Sequence, residues 1–73
     1  MHGVHTASET WSRAQSALAS SPVHELRELL VEESDGALVL SGTVSSFYHK
    51  QLAQETLRTV CQGIQVVNSI RVG

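Results

Sequence analysis

The chain has 73 residues, enough for one domain or a piece of one, and a chain this short buries only about 60% of its unfolded surface, so its stability margin is thin. An apolar content of 41% with three aromatics, Trp11, Phe47 and Tyr48, excludes a disordered segment and calls for an aliphatic core. The net charge is −2, and the five basic residues, Arg13, Arg27, Lys50, Arg58 and Arg71, form no cluster; this argues against nucleic acid as the main partner and weakens any purely electrostatic pull towards anionic lipid.

Residues 1–7 read as a flexible lead, with no basic n-region and no apolar h-region, so neither a signal peptide nor a membrane span is expected. The spacing predicts a first helix over about 8–20, with Thr6 or Ser8 as N-cap, Glu9 in the first turn, and Trp11, Ala14, Ala17 and Leu18 on one face. Ser20-Ser21-Pro22 ends it. Residues 24–33 fit helical spacing through Leu26, Leu29 and Leu30, and strand spacing through Leu29 and Val31. A strand over about 27–33 is the better reading, because Ser34-Asp35-Gly36 is a turn signature and the next strand needs an antiparallel partner; a short turn near Pro22–Leu26 fits either case.

A second strand follows over about 37–44, with Leu38 and Leu40 on one face and Val39 and Ser41 on the other. Gly42 interrupts its pleat, which predicts a bulge or a close backbone approach. A second helix begins after Ser45 or Ser46 and runs to about Gln62, burying Leu52 or Ala53, then Thr56, Leu57 and Val60. Gly63 is its expected stop, and a third strand covers about 65–72, with Val66, Asn68, Ile70 and Val72 on one parity. No repeat, linker or low-complexity segment interrupts this order.

The ordered combination resembles the BON domain, a bacterial module of osmotic-shock and nodulation proteins. The residues that carry the resemblance are Leu29 to Val31, Gly36, Leu40-Ser41-Gly42-Thr43-Val44, Ala53, Gly63-Ile64 and Val66-Val67-Asn68-Ser69-Ile70-Arg71-Val72, with Ala17-Leu18 and Pro22 upstream. It covers about residues 11–72, so the whole of 8–73 is expected to form a single BON-like domain. The connection from Gly63 to Asn68 is one residue shorter than the usual family spacing, which leaves the end of the second helix open. The resemblance implies an α+β fold, a two-layer α-β-β-α-β module with a mixed three-stranded sheet and two helices packed on one face. It also implies a non-catalytic binding module whose partner is a phospholipid membrane surface or an envelope protein, in the periplasm or envelope, and often one copy within a larger protein.

The residues themselves offer little chemistry. His2-x-x-His5 has the wrong company for zinc, which needs four ligands, and reads as part of the terminal segment; His24 and His49 are isolated. Cys61 is alone, so no internal disulfide forms, and even with Arg58 one turn away it reads as a small buried hydrophobe rather than a reactive thiol. Ser41, Ser45 and Ser46 lack a nucleophile-elbow context and suit turns or caps. No cofactor, metal or catalytic residue is expected. Asn68, inward by parity, must find partners and is expected to tie backbone near Gly63 or the first strand.

The best contact candidates are Phe47 and Tyr48, with His49 and Lys50 beside them, since aromatic side chains suit protein interfaces and lipid headgroups alike. The blander expectation is that Phe47 packs under the second helix with Tyr48 over it. The sheet face away from the helices, with Val39, Val67 and Leu30 mixed with Glu32 and Ser69, offers an alternative: protein–protein or self-association through that face or a strand edge, by a monomer or weak oligomer.

Overall fold

A computed structural model describes residues 6–73, with side chains described from Glu9 onwards. The first five residues of the expected lead, and with them His2 and His5, lie outside the described residues; Thr6 and Ala7 belong to the first helix, α1, which spans Thr6–Ala19. Thr6 and Ser8 are therefore helical rather than N-caps. The helix ends as its sequence dictates. Ser20 and Ser21 close the last turn through N–H bonds to the carbonyls of Ser16 (3.0 Å) and Leu18 (3.1 Å), and Pro22 prevents continuation.

The ambiguous 24–33 segment resolves into two pieces. His24–Glu28 forms a single 3-10 helix, and the first strand, β1, covers Leu30–Ser34. The strand therefore starts three residues later than the spacing suggests, because Leu26 turns inward from the short helix and is buried in the core. The turn at Asp35-Gly36, with both residues at positive φ, leads into β2, Ala37–Ser41. Gly42 then breaks the pleat, and Thr43–Val44 continues as β3. At Gly42 φ is +129°, and a Cβ built there would lie 2.7 Å from Leu29 Cδ2, so the expected close approach is present and only glycine fits it.

Helix α2 spans Phe47–Val60, two residues shorter than expected, with Cys61 as C-cap donating to the Leu57 carbonyl at 2.8 Å. Gly63, at φ +87°, turns the chain into β4, Gln65–Asn68. A second break at Ser69-Ile70 precedes β5, Arg71–Val72.

The main sheet has the order β1-β2-β4, with β1 antiparallel and β4 parallel to β2. Beyond the two breaks β3 and β5 pair in parallel, and the N–H groups of Ser69, Arg71 and Gly73 bond the carbonyls of Leu40, Gly42 and Val44 at 2.9 Å each. The β2 and β4 pair thus runs on as one kinked ladder, and the expected third strand is a strand in two pieces. Both helices cover the face that carries Leu38 and Leu40. These pack with Ala14, Leu18, Leu26, Leu29, Val31, Val44, Ala53, Leu57, Cys61 and Ile70 in one aliphatic core. Val66, in register with Leu38, is half-buried against it. Trp11 departs from its expected place on the buried face: it lies at the margin, against the outer edge of β1.

Candidate functional site

The Ser45-Ser46 turn sets the start of α2. Ser46 is extended, and its hydroxyl accepts from the His49 N–H at 3.2 Å, the N-cap expected from sequence. A second acceptor comes from far along the chain. Glu25, on the 3-10 helix, takes the Ser45 N–H at 3.0 Å and the His49 ring at 2.6 Å through the same oxygen. The Ser45 backbone bond, and after it the bond to His49, holds the Glu25 carboxyl below its ordinary range. A carboxylate at a helix N-terminus also favours the helix dipole.

This doubly capped turn presents Phe47 and Tyr48 outward, 76% and 69% exposed. Phe47 does not pack beneath α2, whereas Val44 and Ile70 are buried in the core. The Tyr48 ring stands 5.7 Å from the His49 ring, tilted by 50°. Lys50 is half-buried, and its carbonyl accepts from Asn68 Nδ2 at 3.0 Å. Asn68 also donates to Gln54 at 3.1 Å and accepts the Ile70 N–H at 3.2 Å. Its amide therefore ties α2 and the β4–β5 break, rather than backbone near Gly63 or the first strand. The result is two exposed aromatics on a helix start braced from three sides: by Ser46, by Glu25 and by Asn68.

The rest of the chemistry expected to be inert has structural partners. Cys61 is buried against the Thr10 carbonyl, and burial pushes its thiol upwards; Arg13, not Arg58, is the cation that opposes this. His24 pairs with exposed Glu28 on its own short helix. Among the described residues no three His, Cys, Asp or Glu side chains converge as metal ligands, and no helix is long and apolar enough to cross a membrane. Of the expected motif residues, Leu40 is core, Gly36, Gly42 and Gly63 shape turns and the close approach, and Asn68 is the brace.

Two functional-looking features escaped the sequence. The Glu25–His49 contact spans 24 residues and leaves no periodic trace. Gln15 is the other: its amide donates to the Leu29 carbonyl at 3.4 Å and accepts the Val31 N–H at 3.3 Å, while the Trp11 indole donates to the Val31 carbonyl. Together they cover the outer edge of β1.

The BON domain family model matches residues 7–73, nearly the whole chain. The chain belongs to the BON domain family. Among curated proteins none matches it. The BON domain is a non-catalytic binding module associated with membranes and the cell envelope, and the α-β-β-α-β order described above is the arrangement expected of it.

Proposed function

We propose that this BON domain docks peripherally on a phospholipid membrane surface through the start of α2, with Phe47 and Tyr48 entering the headgroup region and Lys50 beside them. The observation that carries the reading is the exposure of two adjacent aromatic side chains on a backbone turn that three side chains hold in place. Rigid aromatic anchors lose little conformational freedom on insertion, and each contributes on the order of 2 kcal/mol when fully removed from water. Two such anchors give reversible attachment, in keeping with the dispersed positive charge.

Charge placement supports the same orientation. Glu33 and Asp35 lie by the β1–β2 turn, at the other end of the β2–β3 strand from Val44 and α2, while Glu25, beside the start of α2, is engaged by the Ser45 N–H and the His49 ring. At about 3.3 Å per strand residue that separation is roughly 20 Å, about two and a half Debye lengths at physiological salt.

Co-sedimentation with vesicles of phosphatidylcholine and of phosphatidylglycerol tests the proposal. The intact domain is expected to pellet with both, and the Phe47→Ser/Tyr48→Ser variant to stay in the supernatant while melting at the same temperature. No binding by the folded wild-type chain, or undiminished binding by the double variant, overturns it.

A further inference from the structure

The sheet carries a second surface, away from α2, that membrane docking does not use. A groove runs along the outer edge of β1 and onto the open face of the sheet, walled by Trp11 and floored by Leu30 and Val39. Leu30 is 59% and Trp11 40% exposed. The indole N–H is held on the Val31 carbonyl, so the flank of the ring stands as a fixed wall. Val67, in register with Val39 on the neighbouring strand, extends the apolar strip. The rim is acidic: Glu32 stands in register with Val39, Glu33 follows, and Asp35 lies on the adjoining turn. No basic residue lines the groove. Arg13 faces Cys61, Arg27 bonds the Ser21 carbonyl, Arg58 lies beside Glu55 on α2, and Lys50 and Arg71 are on α2 and β5.

The strand edge adds a directional feature. The Val31 N–H and carbonyl face away from β2, where Gln15 and Trp11 take them. Antiparallel alternation turns the same pair of Glu33 outward as well, two residues further on, and there no described side chain covers it. The edge is therefore closed along Leu29–Val31 and open at Glu33, beside the groove.

We propose that this groove binds an extended peptide segment that carries lysine or arginine next to aliphatic side chains. The cation lies over the Trp11 ring and against Glu32, the aliphatic neighbour rests on Leu30 and Val39, and the peptide backbone takes the free Glu33 pair. Charge selects this occupant over the others. A second copy docked on the same face about a twofold axis would bring the Glu32 carboxylates of both copies onto one shared surface, and an anionic lipid headgroup would meet the same carboxylate.

Trp11 is the only tryptophan, so its emission reports the groove directly. The probes are a labelled Lys-Leu alternating peptide and a Glu-Leu peptide of equal length, titrated into the intact chain. The Lys-Leu peptide is expected to shift Trp11 emission and gain anisotropy, more weakly as salt is raised, while the Glu-Leu peptide does neither. Glu32→Lys and Leu30→Ser are each expected to weaken binding about tenfold, the equivalent of about 1.4 kcal/mol. Glu55→Lys on α2 is expected to leave it unchanged, and thermal melts establish that all three variants fold. The proposal is overturned by equal binding of the two peptides, by no response to either, by undiminished affinity in Glu32→Lys, or by sedimentation showing a dimer that Leu30→Ser dissociates. None of these readouts depends on vesicles, so the outcome is separate from that of membrane docking.

Discussion

Asn68 and Lys50 lie 18 residues apart, and the side-chain amide of the first donates to the backbone carbonyl of the second at 3.0 Å. A strand end and a helix start are thereby joined through one amide, which also accepts the Ile70 N–H across the β4–β5 break. Asn68→Asp keeps that acceptor and replaces the donor with an oxygen facing the Lys50 carbonyl and Gln54. The substitution is expected to cost about 1–3 kcal/mol at neutral pH, the penalty of leaving a sheltered polar group unpaired. Urea unfolding measures it, and a cost within experimental error would show that the amide is not a brace.

Gly42 and Gly63 both adopt positive φ, yet they are expected to respond differently to alanine. Gly63 has open space around the missing side chain, so Gly63→Ala carries only the left-handed backbone penalty, about 1 kcal/mol. At Gly42 the new methyl also meets Leu29, itself in the core, and overpacking adds a further ~1–3 kcal/mol. Paired chemical denaturation of the two variants checks the order; equal losses would refute the close approach.

Acid should loosen the start of α2. Because the folded pKa of Glu25 lies below its ordinary value of 4.5, the carboxylate's contribution is complete above that value and is lost as pH falls through the folded pKa. Glu25→Gln should therefore melt lower than wild type at neutral pH, and the two melting temperatures should converge in acid. A difference that stays constant down to strongly acidic pH would contradict the cap.

Gln15 shields a strand edge, so its loss should appear as association as well as instability. Gln15→Ala frees the Val31 N–H and the Leu29 carbonyl, at an expected cost of about 1–2 kcal/mol. Light scattering after prolonged incubation near the melting temperature should rise relative to wild type. Unchanged scattering and stability would assign the edge protection to Trp11 alone.

Much of this architecture is visible in the residue order because its causes are local. Alternation at Leu38 and Leu40, a serine before α2, and glycines at turns each constrain only their neighbours. The start of β1 is harder to read, since Leu26, Leu29 and Leu30 fit helical spacing while Leu29 and Val31 fit extended spacing, and only packing decides between them. The braces around α2 were invisible for a different reason. Glu25 and Gln15 are ordinary polar helix residues until the fold brings a backbone group 16 or more residues away within reach. Phe47 shows the converse: its hydrophobicity suggests the core, but at the first position of α2 it stands 76% exposed while the core is closed by aliphatic residues.

The breaks at Gly42 and at Ser69-Ile70 fall side by side in the parallel pair, after β2 and after β4, and beyond them only two short strands continue. A two-stranded ribbon has little endurance by itself, so this one owes its order to α2, which packs against both β3 and β5. In deuterated buffer the amides of Arg71 and Gly73 should accordingly exchange by local opening, ahead of those in the three-stranded part of the sheet. The end of the molecule assigned to meeting a membrane is then also the end that yields first, and anything that grips α2 there should slow the exchange of strands it never touches.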